Sequence, residues 1–287
     1  MHNTKRSFFA LLLAGLLAWG APAHAGRSCD AAPALKTATV ERGLQLAERT
    51  RQALESSGAQ VVVLARAGQD LGKYGLRYSH LGFAWRQPDA SQPGGAVWRV
   101  LHKLNQCGTR EAALYRQGLG EFFLDDLWRF EAAWVVPTPA VQAALLPLLL
   151  DAGTEDRPGR ALSLHHKPYS IVSYAWNTTY QQSNQWAIET LALGLEPSIG
   201  AAAGEGVAAR RRRAQAWLQF KGYQPSVLTI GPLARLGGRL TAANVAFDDH
   251  PNEKRFADRI ETVTVDSVFD WLQRSGLGAA PVRLALP

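Results

Sequence analysis

The spacing of hydrophobic and polar positions predicts a helix followed by several strands in the first third of the chain. Apolar residues recur at helical spacing over residues 39–57, and Gly58 ends this helix. Residues 61–66, 78–86 and 97–104 are typical of strands, because they are short, rich in β-branched and aromatic residues and bounded by turn residues. This order favours an α+β fold with antiparallel pairing over a doubly wound sheet.

The rest of the chain alternates predicted helices and strands without an internal repeat. Strands are predicted at residues 132–136, 169–176, 227–231 and 261–265. Helices are predicted after a break at residues 137–139 and at residues 181–194, 208–223 and 266–276, the last of them capped by Asp266. The arginine run at residues 210–213 is predicted to be a solvated helix face, with contact to an anionic surface as the alternative.

The first 25 residues have the layout of a cleaved secretory signal. Lys5 and Arg6 precede the apolar run FFALLLAGLLAWG, and the small-residue sequence AHA ends at Ala25. The run is shorter than the roughly 20 residues that a membrane-crossing helix needs, and no later stretch is long and apolar enough. We therefore expect an exported, periplasmic protein without a transmembrane segment.

The two cysteines are predicted to pair. An even cysteine count in an oxidising compartment favours a disulfide between Cys29 and Cys107. Closing so long a loop contributes about 4 kcal/mol, mostly through the unfolded state. Because a bridged sulfur cannot attack a substrate, this pairing excludes both cysteines as nucleophiles.

Composition and charge indicate one domain that works near anionic material. The chain is 47% hydrophobic, which is enough for a single large core over residues 26–287. Removing Lys5 and Arg6 with the signal lowers the formal net charge from +7 to +5. That charge suits anionic lipid or cell wall, and it is too mild and dispersed for a nucleic-acid partner.

One histidine in the predicted strand at residues 78–86 is a candidate for chemistry. Because side chains alternate along a strand, the bulky residues share one face and His80 shares the other with Gly82 and Ala84. Small neighbours leave room beside the imidazole for a substrate or a second catalytic group. The alternative is a hydrogen-bonded structural histidine.

Two polar residues of the next strand could orient that imidazole. His102 shares a face with apolar residues of the strand at 97–104, where a buried or orienting histidine is expected rather than a solvent-open proton shuttle. Asn105 follows at the strand end and is the alternative orienting residue.

Several stretches resemble one bacterial family. YSHLGFAWR, LHKLNQCGT, LYRQGLGEFFLDDLWRFEAAWVVP, YQQSNQWAIETLA and NVAFDDHP together are similar to the exported family designated DUF2145, a domain of unknown function. The resemblance runs over nearly the whole segment after the signal. It implies no activity, because the family carries no settled function.

A second resemblance implies a fold and a site. The SHxGF-like strand, the following strand with a polar residue and a later helix resemble in order the circularly permuted, NlpC-type branch of the papain-like peptidases and amidases. It implies His80 as general base, His102 or Asn105 as the orienting residue, and Ser183 at a helix start as nucleophile. The chain departs from the pattern because that nucleophile is normally cysteine, and a hydroxyl needs the histidine to remove its proton. Ser183 could equally be a helix cap or a polar residue without a catalytic role.

The other polar clusters carry weaker signals. His165 and His166 are adjacent and point to opposite faces of an extended chain, and residues 248–251 (DDHP) are typical of a turn. No spaced metal-ligand motif and no glycine-rich phosphate loop is present, so we expect neither metal nor nucleotide cofactor. Trp85 and Trp176 are candidates for stacking on sugar rings near the site.

Two functions of different classes follow from these observations. The first is an acyl or amide hydrolase or transferase of the cell envelope, using Ser183, His80 and His102 on a cell-wall, lipid or peptide substrate. The second is a non-catalytic periplasmic binding or assembly factor that has lost the thiol. The missing cysteine favours the second, and the small residues beside His80 favour the first.

Overall fold

A computed structural model describes residues 36–89, 91, 95–125, 127–151, 159–201 and 204–287. The predicted signal at residues 1–25 and Cys29 lie outside the described residues. The signal and the Cys29–Cys107 disulfide therefore stay predictions.

The described residues form eight strands and eight α-helices. The strands are β1 (Val61–Arg66), β2 (His80–Pro88), β3 (Ala96–Asn105), β4 (Ala112–Gly118), β5 (Glu131–Val135), β6 (Ser226–Thr229), β7 (Arg259–Thr262) and β8 (Val282–Ala285). The helices are α1 (Thr37–Ser56), α2 (Leu119–Leu124), α3 (Pro139–Leu150), α4 (Ser183–Leu195), α5 (Val207–Phe220), α6 (Pro232–Thr241), α7 (Asn252–Phe256) and α8 (Val265–Arg274).

Six strands form one antiparallel sheet, which confirms the predicted α+β class. The strand order is β4-β3-β2-β1-β5-β8, and every neighbouring pair is antiparallel. Strand β1 is central and buried along its whole length, which explains its uninterrupted apolar sequence. The remaining two strands, β6 and β7, form a separate antiparallel pair.

The sheet separates two hydrophobic layers, and this separation decides where each polar side chain can act. Helices α1 and α2 cover one face, where Leu54 and Phe122 pack with Val62. Helices α3, α4, α5 and α8 cover the other face, where Trp186 packs with Phe83 at a ring distance of 6.0 Å. We call these the α1/α2 face and the α4 face.

The prediction of a strand at residues 169–176 is wrong, because these residues form turns. Their backbone groups bond to distant segments, including strand β7, without forming a strand ladder. The N–H of Ile171 donates to the carbonyl of Asn244 at 2.9 Å, and that of Tyr174 donates to a carboxylate oxygen of Asp249 at 2.7 Å. The hydrophobic pattern of this segment thus reflects burial and not strand pairing.

The closing helix α8 begins where the sequence predicts it, but with a different cap. Thr264 is the N-cap residue, and its hydroxyl accepts a hydrogen bond from the backbone N–H of Ser267 at 3.1 Å. Asp266 lies one residue inside the helix, in the first turn. The prediction that Asp266 is the cap is therefore wrong by two residues. Threonine and aspartate are both favoured N-cap residues, so the sequence alone does not distinguish them.

Within the described ranges, every helix is either too short or too polar to span a bilayer.

Candidate functional site

His80 is the first residue of β2 and lies on the α1/α2 face. The predicted alternation is confirmed, since Phe83 belongs to the core on the α4 face and Ala84 to the core on the α1/α2 face. Only 8% of His80 is exposed, and its ring lies 6.1 Å from the ring of Phe122 on α2. The imidazole is thus enclosed between the sheet and α2.

His80 and His102 form a continuous chain of hydrogen bonds with Gln117. The Nε2 atom of His80 is 2.8 Å from Nδ1 of His102, and Nε2 of His102 is 2.7 Å from Oε1 of Gln117. The glutamine oxygen can only accept, so the proton of His102 is on Nε2 and His80 donates from its own Nε2 when both rings are neutral. The structure therefore brings together the predicted base and the predicted orienting residue.

The space beside His80, which its small neighbours on β2 suggest, is occupied by His102 of the adjacent strand. A Cβ atom built on Gly82 would lie 2.8 Å from Cβ of His102 and 2.9 Å from the carbonyl oxygen of Leu101. Glycine is required here because the adjacent strand packs directly against its backbone. The small residue makes room for His102 and not for a ligand.

Burial and a nearby cation keep both imidazoles neutral. Burial, followed by the charge of Arg66, holds the pKa of His80 well below its ordinary value. The same two causes lower the pKa of His102 to about 4. Arg66 is itself buried and bonds the carbonyl of Phe122 and the carboxylate of Asp125. A neutral histidine pair is chemically able to relay a proton, but it is closed off by Phe122.

Ser183 is the first residue of α4, as the sequence predicts, and lies away from the histidine pair. Its hydroxyl and its backbone N–H act on the buried phenol of Tyr169 and oppose the rise that burial causes in the pKa of Tyr169. Helix α4 packs on the α4 face, whereas His80 and Phe122 lie across the sheet. Among the described residues, no hydrogen bond joins Ser183 to His80.

Helix α4 does reach the start of β2, through its second residue. The Oδ1 atom of Asn184 accepts a hydrogen bond from the N–H of Leu81 at 3.1 Å, and its Nδ2 donates to the carbonyl of Ser79 at 3.3 Å. On the β3 side the amide takes the place of a paired strand at this point, because the pairing of β2 with β3 begins only at Phe83. The helix start therefore meets the backbone on either side of His80, and not its imidazole.

Asn105, the alternative orienting residue, has a structural role. Its amide nitrogen donates to the carbonyl of Thr109 at 3.0 Å and to that of Glu111 at 2.8 Å, closing the turn between β3 and β4. Its oxygen accepts from the amide of Asn244 at 3.0 Å. Of the two orienting candidates, only His102 contacts His80.

A buried polar network around α4 was not predicted from the sequence. Arg211 on α5 is fully buried and donates to Glu189 on α4 at 2.8 Å, and the amide of Gln215 donates to the same carboxylate at 2.7 Å. The prediction that residues 210–213 form a solvated face is therefore wrong for Arg211. The missed signal is helical spacing, since Arg211 precedes the buried Ala214 and Leu218 by three and seven residues.

A lysine of the sheet completes this network. Lys103 is fully buried on the α4 face, and its ammonium donates to the amide oxygen of Gln181 at 2.7 Å and to the carbonyl of His166 at 2.6 Å. The Gln181 amide in turn donates to Glu189 at 2.6 Å. Burial lowers the pKa of Lys103 well below its ordinary value. These groups thus satisfy one another's hydrogen bonds.

The remaining sequence candidates stabilise loops or the core. The imidazole of His166 bonds the carbonyl of Thr179 at 3.0 Å, and Asp249 holds the neighbouring His250 ring at 3.0 Å within the DDHP turn. The described residues contain no group of three or more histidine, cysteine or acidic side chains able to hold a metal. Trp85 is fully buried, and its proposed stacking on a sugar ring is excluded.

Two arginines on the α4 face line an open cleft that the sequence did not single out. Gln87, Arg99 and Arg116 lie on neighbouring strands at the end of the sheet, beside Leu150 at the end of α3, and enclose about 430 Å³. We call this set the arginine cleft. Its three polar side chains share one sheet face because Trp85 pairs with Arg99 and Arg116 pairs with Leu101.

The arginine cleft presents two neighbouring guanidinium groups, and Asp89 and Asp151 lie close enough to act on their charges. Arg116 lies over the ring of Trp85 at 4.8 Å. Burial and the charge of Arg99 lower the pKa of Arg116, and Asp151 opposes this shift. Among the described residues, no carboxylate forms an ion pair with Arg99 or Arg116. Two neighbouring cations of this kind repel each other until an anion lies between them.

The comparisons with known proteins place this chain in a family. A family model described as "Uncharacterized protein conserved in bacteria (DUF2145)" matches residues 53–272. No curated protein and no solved structure matches the chain. The matched segment contains the main sheet up to β5 together with α4, so it spans the histidine pair and the arginine cleft. The chain belongs to the DUF2145 family.

Proposed function

We propose that this protein is an exported, non-catalytic binding factor of the cell envelope that holds an anionic group in the arginine cleft. The observation that carries the proposal is the pair of guanidinium groups, Arg99 and Arg116, on one sheet face, neither in ion-pair contact with a carboxylate of the described residues. Arginine presents a planar fork that matches carboxylate and phosphate oxygens in a bidentate manner. The amide of Gln87 supplies a further hydrogen-bonding group beside them.

The geometry of the predicted catalytic residues supports a binding factor over a hydrolase. A serine nucleophile needs a base within hydrogen-bond reach, about 2.6 to 3.2 Å. His80 instead bonds His102 on the α1/α2 face, while the hydroxyl of Ser183 lies beside the phenol of Tyr169 at the start of α4. Catalysis by this pair would require the imidazole to pass from one face of the sheet to the other.

The permuted papain-like architecture belongs to the same proposal. It is supported by the antiparallel sheet, by a helix that begins at Ser183 and by the bonds from Asn184 to the strand that carries His80. A binding factor derived from such an enzyme would keep this helix and sheet while serine replaces the reactive thiol. A solved structure of a family member, compared strand by strand, tests this part.

The binding proposal is tested by titration with small oxyanions. Inorganic phosphate and an N-acetyl dipeptide with a free carboxylate distinguish a lipid or phosphate source from a peptide source. Arg99→Gln and Arg116→Gln should each weaken binding about 10- to 100-fold, as expected for losing one charge-assisted hydrogen bond. The exposed Arg212 on α5 provides the matched control, because Arg212→Gln removes the same charge elsewhere. Equal affinity in all three variants would contradict the proposal.

The catalytic alternative is tested separately with acyl ester and amide probes. We expect no turnover that depends on Ser183. If wild-type protein hydrolyses a probe and Ser183→Ala abolishes this activity with unchanged stability, the protein is an enzyme and the binding proposal is wrong. Ser183→Ala is suited to the test because it removes one hydroxyl and leaves the backbone at the start of α4 unchanged.

A further inference from the structure

Helix α6 presents its apolar residues to solvent. Leu233 is 85% exposed, Leu236 56% and Leu240 78%, and they recur at helical spacing on one side of the helix. We call them the leucine face. A surface helix ordinarily turns such a stripe towards the core. The inverted orientation therefore indicates that something outside the described fold covers it.

The orientation of α6 is set by its opposite side. Arg235 is buried there and bonds both the carbonyl of Ile230 and the carboxylate of Asp258. Gly238 lies on the same side, and a Cβ atom added to it would be 3.2 Å from Val245, a residue of the small core beside β6 and β7. Because an ion pair and close packing hold this side inward, the leucine face is held outward.

Helix α6 carries only basic charged residues, and the following helix α7 carries two basic residues and one acid, Glu253. Helix α6 contains no acidic residue, and Arg239 is exposed in its last turn. On the adjacent α7, Phe256 is 70% exposed and the guanidinium of Arg255 lies 4.9 Å from its ring centre. The nearby carboxylate of Asp258 is already paired with Arg235. Exposed apolar residues flanked by arginines are typical of helices that lie in a membrane interface.

We propose that α6 binds the surface of an anionic lipid bilayer, with the leucine face inserted at the acyl boundary and Arg239 at the level of the phosphates. A standard protein interface engages about 20 to 30 residues on each side, whereas the leucine face has three residues on a ten-residue helix. A bilayer needs no complementary pocket and accepts so narrow a stripe. This inference is independent of the arginine cleft, which lies on the main sheet.

Vesicle flotation tests the proposal. The chain is purified after export, and mass spectrometry confirms the same N-terminus in each variant. Wild-type protein should float with phosphatidylglycerol-containing vesicles, float less with pure phosphatidylcholine and bind less at high salt. Replacing Leu233, Leu236 and Leu240 together by serine should lower partitioning by roughly tenfold per leucine.

The matched control is Phe220→Ser, because Phe220 is 82% exposed at the end of α5 and is not part of the leucine face. It should leave flotation unchanged. The proposal is overturned if wild-type protein does not float, or if the triple variant floats as well as wild type. It is also overturned if analytical ultracentrifugation finds a dimer that the triple variant lacks, since a second copy would then cover the leucine face.

Discussion

The neutral histidine pair makes the stability of the fold depend on pH, and His102 allows the size of this effect to be calculated. Folding lowers its pKa from an ordinary value of 6.5 to about 4, chiefly through burial. Below pH 6.5, His102 therefore binds a proton in the unfolded chain but stays neutral in the folded protein. Stability from this group is present at neutral pH and is lost as pH falls from 6.5 towards 4.

The expected loss from His102 alone between pH 7 and pH 5 is about 2 kcal/mol, because each unit of pKa difference corresponds to about 1.4 kcal/mol. His80 adds to the loss, since its pKa is also held well below the ordinary value by burial. The pKa of His165 is lowered to about 4 by burial as well. Wild-type protein should thus lose more stability than His102 alone explains.

Urea unfolding at pH 7 and pH 5, at constant ionic strength, measures this loss in wild type and in His102→Gln. The variant has a lower stability at both values, because it disturbs the bonds to His80 and Gln117. Its decrease between pH 7 and pH 5 should nevertheless be smaller than that of wild type by about 2 kcal/mol. An equal decrease in both proteins would refute the idea that His102 is buried and neutral.

Three substitutions test other parts of the fold by the same unfolding measurement. Arg211→Leu should cost about 3 to 5 kcal/mol, because it leaves Glu189 buried without its guanidinium partner. The neighbouring exposed Arg212→Leu should change stability by less than about 0.5 kcal/mol. Similar values for both would show that the ion pair is not buried. Gly82→Ala should cost about 1 to 3 kcal/mol, because its methyl group meets the next strand at 2.8 Å, and a neutral result would mean that the strands separate easily there. Thr264→Ala should cost about 1 kcal/mol through loss of the cap of α8, and no loss would assign the cap to another residue.

The candidate site was predictable from the sequence only in part. Strand alternation correctly assigned His80 and Gly82 to one face, because the two-residue period is a local property of extended backbone. The sequence left His102 and Asn105 as alternative partners for His80, and the structure shows that His102 makes the contact. It could not establish what filled the space beside Gly82, because that depends on the register between β2 and β3, and register is set by pairing of separate segments.

The buried network around α4 depended even more on distant residues. Arg211 stands in a run of four arginines, which by local composition is a surface feature. It is buried because Glu189, 22 residues earlier, and a set of backbone carbonyls satisfy its guanidinium. A sequence pattern records which residues are charged, but a charge is buried only where partners from other segments meet it.

The sequence by itself determined most local elements, the antiparallel α+β class and the order of the polar candidates, because these follow from periodicity and turn residues. Tertiary structure decided which of those candidates meet. The sheet separates Ser183 from His80, joins His80 to His102, and brings Arg99 beside Arg116. These outcomes follow from strand order and from the face on which each helix packs, and both are set by burying the apolar surface of the whole chain at once.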